Sequence, residues 1–457
     1  MSNAPDVIIL AAGKGTRMHS TQPKVMHQIA GKPMLQYVLE TAKELDPTTI
    51  SVVYGHGGEQ VPQAFAGWDV RWVQQDQQLG TGHAALQALP HVATDGVTLV
   101  LYGDVPLLRV ETLRRLVMLS QGDRLAILTL MLDDPFGYGR IVRNDNGNIA
   151  CIVEEKDANA DQKRIREINT GVMAIPSADL HRWLPKLENR NRQGEYYLTD
   201  IVRLAASEGM GIVSLQPENE TEVLGINDRR QLALAERAVQ QREATRLLLE
   251  GVTLLDPARI DVRGQLFCGQ DVSIDVGCVF LGRVELGDRV RLGPYCVLKD
   301  VVLREDTVVA AFSHLDGAEI GENGRIGPFA RIRPGTRLAA GVHIGNFVEI
   351  KNSQVEYDSK INHLSYIGDS MVGHTVNIGA GTITVNYDGV NKHRTVIGNE
   401  VFVGSGSELV APLTIGDGAT IAAGSTITHD APAGKLTLAR ERQVTHPTWT
   451  RPVRKAK

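Results

Sequence analysis

The stretch IGENGRIGPFARIRPGTRLAAGVHIGNFVEI, residues 320–350, decides the fold of the second half of the chain. An apolar residue stands at every sixth position, and the same spacing recurs on both sides of this stretch: Ile274, Phe280, Leu286, Leu292, Leu298, Ile320, Ile326, Ile332, Leu338, Ile344, Ile350, Ile397, Val403, Leu409, Ile415, Ile421 and Ile427. A period of six matches neither an α-helix nor a two-sided strand. It is typical of a parallel β-helix, in which each coil has three short faces and each face points one apolar residue inward.

Glycine directly follows many of these apolar residues, for example at Gly287, Gly327 and Gly416. Because glycine accepts positive φ, we interpret these positions as tight corners between the faces. Residues 384–393 interrupt the six-residue register and are predicted to leave the coil as a loop. A β-sandwich is the alternative fold, but irregular spacing between its turns would be expected.

The first half of the chain alternates apolar runs with stretches of helical spacing. Residues 7–10, 50–54 and 97–102 are rich in apolar and β-branched residues, and residues 34–45 carry the spacing of an amphipathic helix. Continuous apolar strands separated by helices are typical of a parallel sheet that is covered on both faces. We therefore predict a doubly wound, Rossmann-like α/β domain over residues 1–229.

A third pattern lies between the two halves. Residues 228–249 contain neither Gly nor Pro and are rich in Arg, Gln, Glu, Leu and Ala. We predict one long, largely solvated helix here, which begins at Asn227 and Asp228 and ends at Gly251. The predicted division is an α/β domain over 1–229, a linker helix over 230–250 and a β-helix domain over 251–457.

The composition narrows the class of protein. The chain has 457 residues, 48 Lys and Arg against 53 Asp and Glu, and a formal net charge of −5, which argues against a dedicated binder of nucleic acid or of an anionic membrane. The sequence contains neither a long apolar run nor a secretory leader, and its four cysteines form no Cys-x-x-Cys pair. We therefore expect a protein of the reducing cytoplasm.

The first strand is followed by LAAGKGTRM, residues 10–18. Small residues after a strand let backbone N–H groups approach phosphates, and Lys14 and Arg17 add positive charge. The segment is not a Walker A loop, and it lacks the third glycine of a dinucleotide-binding fingerprint. The pattern therefore indicates a different phosphate-binding loop.

This loop resembles that of the sugar-nucleotide pyrophosphorylases, where it binds a nucleoside triphosphate. Further segments that resemble the same enzymes lie at residues 23–25, 75, 79–84, 102–104, 137–140, 153–156, 169–171 and 225–227. Together with the six-residue repeats they resemble, over nearly the whole chain, the bacterial bifunctional N-acetylglucosamine-1-phosphate uridylyltransferases/glucosamine-1-phosphate acetyltransferases. A small departure is Met26, where the family usually has leucine.

The resemblance implies that acetyl-CoA first acetylates glucosamine 1-phosphate. UTP then uridylylates the product with Mg²⁺, and UDP-N-acetylglucosamine, a precursor of peptidoglycan and lipopolysaccharide, is formed. It also implies a left-handed β-helix and a homotrimer assembled through that β-helix, with no nucleic-acid or membrane partner.

For uridylyl transfer, the resemblance implies that Lys24 and Arg17 act on the triphosphate and that Asp104 and Asn227 hold Mg²⁺. Mg²⁺ prefers a few oxygen ligands from the protein, completed by phosphate and water. Implied contacts to UTP or the UDP-sugar are Leu10, Ala11, Ala12, Gly13, Lys14, Lys24, Gln75, Gly80, Thr81, Tyr102, Gly103, Asp104, Gly139, Glu154, Asn169 and Asn227. Without the resemblance, Asp104 could be a turn residue, Asn227 a helix N-cap and Glu154 a surface charge.

For acetyl transfer, the resemblance implies that His363 is the general base. Histidine ordinarily titrates at about pH 6.5, which suits the deprotonation of an attacking amine. Implied contacts to glucosamine 1-phosphate are Arg333, Lys351, Tyr366 and Asn377, and those to acetyl-CoA are Ala380, Asn386, Tyr387, Ser405, Ala423 and Arg440. A surface histidine is the alternative interpretation of His363.

Spacing bears on two pairs of these residues. Arg333 and Lys351 are one coil apart, so that their positive charges should stack and favour an anion between them. Ser405 and Ala423 have the same spacing, and small stacked residues would leave a shallow groove for an extended thioester. Two solvated cations that splay apart, and a crowded wall of small residues, are the alternatives.

Three function classes fit these observations to different degrees. The first is the bifunctional enzyme, and the second is a uridylyltransferase whose β-helix only assembles or regulates the protein. The third is a metal-bearing β-helix that resembles the γ carbonic anhydrases. It requires histidines that meet at one subunit interface, but the spacing of the histidines in this half is not uniform: His343, His363, His374 and His393.

Overall fold

The computed structural model describes residues 4–13, 15–55, 58–121 and 123–453. The chain divides into two compact units, Met1–Val239 (unit 1) and Gln240–Lys457 (unit 2). Within the described residues, none of the helices combines the length and the apolar character needed to cross a membrane.

Unit 1 contains a nine-stranded sheet and a small hairpin. The strands in chain order are β1 Asp6–Ala11, β2 Gln28–Ile29, β3 Lys32–Pro33, β4 Thr49–Gly55, β5 Arg71–Gln75, β6 Val97–Tyr102, β7 Arg124–Met131, β8 Arg140–Arg143, β9 Ile149–Val153, β10 Glu167–Pro176 and β11 Gly211–Leu215. The helices are α1 Met34–Lys43, α2 Gln60–Ala64, α3 Thr81–Ala88, α4 Val110–Ser120, α5 Ala160–Lys163, α6 Ser177–Trp183, α7 Asp200–Ser207 and α8 Arg229–Leu249.

The main sheet has the order β11-β7-β10-β6-β1-β4-β5, with β8 and β9 attached beside β10. Strands β1, β4, β5 and β6 pair in parallel, as do β7 and β11, whereas β10 runs antiparallel to both of its neighbours. The sequence did not predict this reversal, since one antiparallel strand carries the same buried apolar pattern as a parallel one.

The two faces of the sheet bury different helices. Ile9 on one face packs in a cluster with Leu35 and Leu39 of α1. Ile8 on the other face packs with Ala85 and other residues of α3. Because successive side chains of a strand alternate between faces, β1 is buried on both sides. The predicted doubly wound α/β fold is confirmed.

Helix α8 covers the predicted segment and is begun by Asp228, whose Oδ1 accepts hydrogen bonds from the N–H groups of Arg230 and Gln231, each 2.9 Å long. Most of its residues are exposed or partly exposed. Within unit 1 Ala235 packs in a small core, and within unit 2 Ala244 and Leu247 are buried. The helix is therefore anchored by buried apolar residues in each unit, while most of its remaining surface is solvated.

Unit 2 is a parallel β-helix with three faces. The first face contains Thr253–Leu254, Ser273–Ile274, Arg291–Leu292, Val308–Val309, Arg325–Ile326, His343–Asn346, Lys360–His363, Asn377–Ile378, Phe402–Val403, Thr420–Ile421 and Leu436–Thr437. The second contains His314–Asp316, Arg331–Ile332, Glu349–Lys351, Tyr366–Gly368, Ile383–Val385, Glu408–Val410 and Thr426–Ile427. The third contains Ala318–Ile320, Thr336–Leu338, Gln354–Val355, Ser370–Val372, Thr395–Ile397 and Leu413–Ile415. Three longer strands begin the second and third faces: Asp261–Cys268, Val279–Leu286 and Val297–Leu303.

The interior of the β-helix is the column of residues that the six-residue period identified. Every one of these apolar residues is buried, and they form one continuous cluster together with Cys278 and Cys296. The predicted loop is also present, because the strands Ile383–Val385 and Thr395–Ile397 flank a segment that leaves the coil and carries an isolated antiparallel bridge between Tyr387 and Lys392.

The interpretation of the glycines that follow the apolar positions was wrong for most of them. Gly287 and Gly293, for example, do not have positive φ. A Cβ atom on either would lie 2.8 Å from a backbone nitrogen of the next coil, so glycine is needed for the close approach of stacked coils. Positive φ falls instead on other corner residues, including a column of stacked aromatic rings with centroids 5.1–5.4 Å apart: Tyr295, Phe312, Phe329 and Phe347.

The buried column predicts a stability difference within unit 2. Ile344→Ala is expected to lower the free energy of unfolding by about 2–5 kcal/mol, because it removes buried methyl groups and leaves a cavity. The same substitution at Ile383, whose side chain is 42% exposed, should have a much smaller effect. Urea unfolding followed by circular dichroism measures both, and equal losses would contradict the assignment of the six-residue positions to the interior.

Candidate functional site

A cavity of about 450 Å³ opens at the carboxyl ends of β1, β5 and β6 in unit 1. Parallel strands bring these ends to the same edge of the sheet, which is where α/β sheets bind ligands. Ten predicted residues line the cavity: Leu10, Ala11, Ala12, Gly13, Lys24, Gln75, Gly80, Thr81, Tyr102 and Asp104. Gln78 and Glu195 line it as well and were not predicted from the sequence.

The loop after β1 forms the floor of this cavity. A Cβ atom on Gly13 would meet nothing within 4 Å, so the backbone here is open to a ligand. Gly103 donates its N–H to the carbonyl oxygen of Leu10 over 2.9 Å and thereby ties the end of β6 to the loop. Gln78 donates a short side-chain hydrogen bond to the carbonyl oxygen of Ala12. The prediction for Lys14 falls outside the described residues.

Gln75 lies at the end of β5, with its side chain almost completely buried. Its Nε2 lies 3.2 Å from the carbonyl oxygen of Gly80 and 3.0 Å from Nδ1 of His83. These contacts occupy the amide nitrogen and leave Oε1 to accept a hydrogen bond. Gly80 has φ +108°, and a Cβ atom there would lie 2.6 Å from the carbonyl oxygen of Tyr196, so this turn requires glycine.

Four further predicted residues of unit 1 interact with one another or with neighbouring side chains: Tyr102, Gly139, Glu154 and Asn169. Gly139 and Asn169 are called the Gly139–Asn169 wall below. Asn169 donates its N–H to the carbonyl oxygen of Gly139 over 2.8 Å, and Glu154 accepts a hydrogen bond of 3.1 Å from Thr199. Burial raises the pKa of the Glu154 carboxyl. Burial also raises the pKa of the Tyr102 hydroxyl, and the carboxylates of Glu154 and Asp104 raise it further, so Tyr102 stays a neutral donor.

Lys24 stands between the two predicted metal ligands. Its ammonium makes a short ion pair with Asp104 and donates a 2.7 Å hydrogen bond to Oδ1 of Asn227. Arg17 donates a 2.9 Å hydrogen bond to the same oxygen. The N–H of Ile226 donates to the carbonyl oxygen of Asp104 over 2.9 Å, which holds the two distant segments side by side. The structure therefore brings Arg17, Lys24, Asp104 and Asn227 together.

In unit 2 the backbone N–H of Arg333 donates to the carbonyl oxygen of Ile350 over 2.8 Å, which places Arg333 beside Lys351 on the next coil. Each cation also has a carboxylate partner, because Arg333 pairs with Glu349 and Lys351 pairs with Asp369, both at 2.8 Å. The mutual repulsion that the spacing suggested is thus offset by carboxylates of unit 2.

Asp369 is the centre of this cluster. It accepts hydrogen bonds from Asn352 at 2.6 Å and from Asn386 at 2.5 Å in addition to its ion pair with Lys351. Those hydrogen bonds and the Lys351 ammonium outweigh its desolvation and hold the pKa of its carboxyl below the usual range. The neighbouring Lys351 lowers the pKa of Lys392. Asp369 and Lys392 were not predicted, although Asp369 follows Lys351 by 18 residues, the same spacing that separates Arg333 from Lys351. Lys392 lies in the loop that interrupts the register, where spacing gives no signal.

Tyr366 belongs to the same cluster. A Cβ atom on Gly368 would lie 2.9 Å from Nδ2 of Asn386 and would clash with the Tyr366 hydroxyl, so glycine admits both side chains. Arg333, Lys351, Tyr366 and Asn386 thus meet on the second face, and Tyr387 follows in the exposed loop.

His363 lies at the end of the first face, at a corner of the coil. Its Nδ1 is 2.9 Å from Oδ1 of Asn346, which occupies the equivalent position one coil earlier. Because the amide oxygen can only accept, Nδ1 carries the proton and Nε2 is the basic nitrogen. Asn346 was not predicted, because it precedes His363 by 17 residues, one fewer than the 18 of three regular six-residue repeats.

Asn346 and His363 begin a stack of equivalent positions on successive coils, called the His363 column below. This column continues through three small residues. Gly381 donates to the carbonyl oxygen of His363, Gly406 to that of Ala380 and Gly424 to that of Ser405, so that Ala380, Ser405 and Ala423 occupy equivalent positions on successive coils. Arg440 donates a 2.7 Å hydrogen bond to the carbonyl oxygen of Ala423. Four predicted acetyl-CoA residues therefore form one line that starts at His363.

A single chain does not bring the whole acetyl-transfer set together. Lys351 pairs with Gly368, which is five positions after His363 and lies on the next face of the coil. Asn377 lies on the first face, beside Lys360 and Phe402. Among the described residues, no hydrogen bond or ion pair joins His363 to Arg333 or Lys351.

Clusters that could hold a metal through protein ligands alone are not present in the described ranges, since no three His, Cys, Asp or Glu side chains converge there. The oxygen pair of Asp104 and Asn227 suits a hard cation only if other oxygens complete its shell. The four cysteines, all of them described, are free thiols.

Comparisons with known proteins find a separate family match in each unit. Residues 7–154 match the MobA-like NTP transferase domain family, and residues 394–429 match the bacterial transferase hexapeptide family (six repeats), in agreement with the predicted left-handed parallel β-helix. "Bifunctional protein GlmU" of Dechloromonas aromatica is 60% identical over 98% of this chain and 99% of its own length. The proteins of the same name from Nitrosospira multiformis and Cupriavidus pinatubonensis are 56% and 58% identical over 99% of this chain, and over 98% and 100% of their own lengths. With matches of this extent to both halves, the chain belongs to the family of bifunctional GlmU proteins, transferases that combine a nucleotidyltransferase domain with a hexapeptide acetyltransferase domain.

Proposed function

We propose that this bifunctional transferase makes UDP-N-acetylglucosamine, with acetyl transfer from acetyl-CoA to glucosamine 1-phosphate in unit 2 and uridylyl transfer from UTP to N-acetylglucosamine 1-phosphate in unit 1. The observation that carries the proposal is the presence of two separate constellations, the cavity at the strand ends of unit 1 and the His363 column of unit 2. We further propose a cytoplasmic location, which the free thiols support.

In unit 1, the 1-phosphate oxygen of the sugar attacks the α-phosphorus of UTP, and pyrophosphate leaves. The protein has little covalent chemistry to perform, so that positioning and charge compensation supply the rate. Oε1 of Gln75 accepts the N3–H of uracil, and the proposal is supported by the two contacts that already use the amide nitrogen. Lys24 and Arg17 offset the negative charge of the triphosphate, and the Gly139–Asn169 wall binds the sugar.

Mg²⁺ fits unit 1 by the chemistry of its donors. A carboxylate oxygen of Asp104 and the amide oxygen of Asn227 converge on one point, where the Lys24 ammonium now lies. We propose that these two oxygens hold the ion, while phosphate oxygens and water complete its shell. When bound, Mg²⁺ neutralises charge on the phosphates.

In unit 2, Nε2 of His363 accepts a proton from the attacking amine, and Asn346 keeps the proton on Nδ1. The small residues of the His363 column leave room for the thioester. Arg440 supplies positive charge at the far end of this column, beside Ala423. Arg333, Lys351 and Lys392 bind the sugar phosphate, which competes with Glu349 and Asp369 for these cations.

We also propose that the acetyl-transfer site is completed between chains of a homotrimer. The support is the separation within one chain of His363 from the cluster around Lys351. A neighbouring copy that presents one constellation to the other would join the base and the phosphate-binding residues.

For uridylyl transfer, the prediction concerns Asp104. Asp104→Ala should lower the rate of uridylyl transfer by about 100- to 1,000-fold or more, since it removes a charged group that acts on the reacting phosphates. Acetyl transfer should be unchanged. EDTA should likewise stop uridylyl transfer and leave acetyl transfer intact. Asp69→Ala, at an exposed position of unit 1, serves as the control. Loss of both activities in EDTA would refute the assignment of the metal to unit 1.

For acetyl transfer, the prediction concerns His363. His363→Ala should lower kcat for acetyl transfer by about 10²- to 10⁴-fold, the usual cost of losing a general base, while uridylyl transfer persists. Asn346→Ala should cause a smaller loss, and Asn346→Asp should recover part of it, because the carboxylate still accepts the Nδ1 proton. Both activities are measured by separation of the products, with the exposed His429→Ala as control. Near-normal acetylation by His363→Ala would show that another group is the base.

A further inference from the structure

The Lys24 ammonium lies where the two proposed metal ligands meet. It contacts Oδ2 of Asp104 and is 2.7 Å from Oδ1 of Asn227, and Lys24 is only 8% exposed. Gly15 makes room for it, since a Cβ atom there would come within 2.7 Å of the Lys24 Cβ. The lysine is therefore enclosed in this position.

The two oxygens have a support other than Lys24. The backbone hydrogen bond from Ile226 to Asp104 joins the two segments, and the N–H of Asn227 donates to Oε1 of Gln231 over 2.7 Å. The oxygen pair should therefore stay close together when the ammonium is removed. A cation site is thus preserved by the backbone and filled by a side chain of the same chain.

From this arrangement we infer that Lys24 is a resident counter-ion, which fills the metal position in the nucleotide-free protein and leaves it when the metal binds together with a triphosphate. The inference rests on the proposed function, because it takes Asp104 and Asn227 as ligands of the metal. Mg²⁺ binds oxygen at about 2.0–2.1 Å, so the ion and an ammonium at hydrogen-bond distance cannot share the same two oxygens. Their positive charges also repel.

The triphosphate provides the alternative partner for the displaced ammonium. Lys24 lines the same cavity as Gly13, whose open backbone leaves room for phosphate groups. An ammonium that leaves Asp104 can therefore form a new ion pair within the cavity. The metal and the nucleotide are thus coupled through Lys24, and each should bind weakly without the other.

Binding of Mn²⁺ to the nucleotide-free protein tests this inference, with free Mn²⁺ measured by electron paramagnetic resonance. Lys24→Met should bind Mn²⁺ more tightly than the unaltered protein by about tenfold or more, within the usual range of such couplings. UTP should raise Mn²⁺ affinity less in Lys24→Met than in the unaltered protein, because the ammonium no longer has to be displaced. Circular dichroism checks folding, and Lys24→Gln provides the same comparison if Lys24→Met does not fold.

Two control variants distinguish the effect of vacating the metal position from the effect of removing a positive charge. Lys32→Met removes the same group from a position paired with Glu40 and should leave Mn²⁺ binding unchanged. Arg17→Met removes a positive charge that contacts only the Asn227 side of the pair and should produce a smaller gain than Lys24→Met. Equal gains from Arg17→Met and Lys24→Met, or no gain from Lys24→Met and Lys24→Gln, would overturn the inference.

Asp104→Asn distinguishes a failure of the inference from a failure of the proposed function. If Asp104→Asn binds Mn²⁺ with UTP as well as the unaltered protein does, the metal assignment itself is wrong, and the inference falls with it. If Asp104→Asn loses this binding while Lys24→Met shows no gain, the metal assignment stands and only the counter-ion role of Lys24 is refuted.

Discussion

Parallel strands that pair in a fixed register place the side chains of both sites. In unit 1 the pairing of β1 with β4 and β6 brings the carboxyl ends of strands that are distant in sequence to one edge. In unit 2 the same kind of pairing aligns equivalent positions of successive coils, so that Asn346, His363, Ala380, Ser405 and Ala423 form one column. A slip of one residue in either register would turn these side chains to the opposite face and destroy the site.

Opposite charges hold the cations of both sites before any substrate is present. Lys24 is paired with Asp104, Arg333 with Glu349 and Lys351 with Asp369. Each pair fixes the cation in a defined place, and the phosphate that we propose it binds would compete with the carboxylate. Removal of Glu349 or Asp369 would leave a partly buried cation without compensation, so we expect both carboxylates to matter although neither is proposed to contact the reacting atoms.

The sequence predicts those features that follow from a period or from a local motif. The six-residue period identified the buried column from Ile274 to Ile427, and the loop after β1 identified the edge of the cavity. Contacts between distant segments could not be predicted in the same way. The reversal of β10, the position of Lys392 beside Lys351 and the close approach at Gly293 each depend on which backbone lies alongside, and no short stretch of sequence encodes that.

The central claim is that one chain carries both reactions, and product analysis by mass spectrometry tests it most directly. The full chain is incubated with glucosamine 1-phosphate, acetyl-CoA, UTP and Mg²⁺, and samples are taken over time. The account predicts that N-acetylglucosamine 1-phosphate appears first and that UDP-N-acetylglucosamine follows, whereas omission of UTP stops the sequence at the acetylated sugar phosphate. Formation of UDP-N-acetylglucosamine only when N-acetylglucosamine 1-phosphate is supplied would contradict the account and leave the β-helix with a purely structural role.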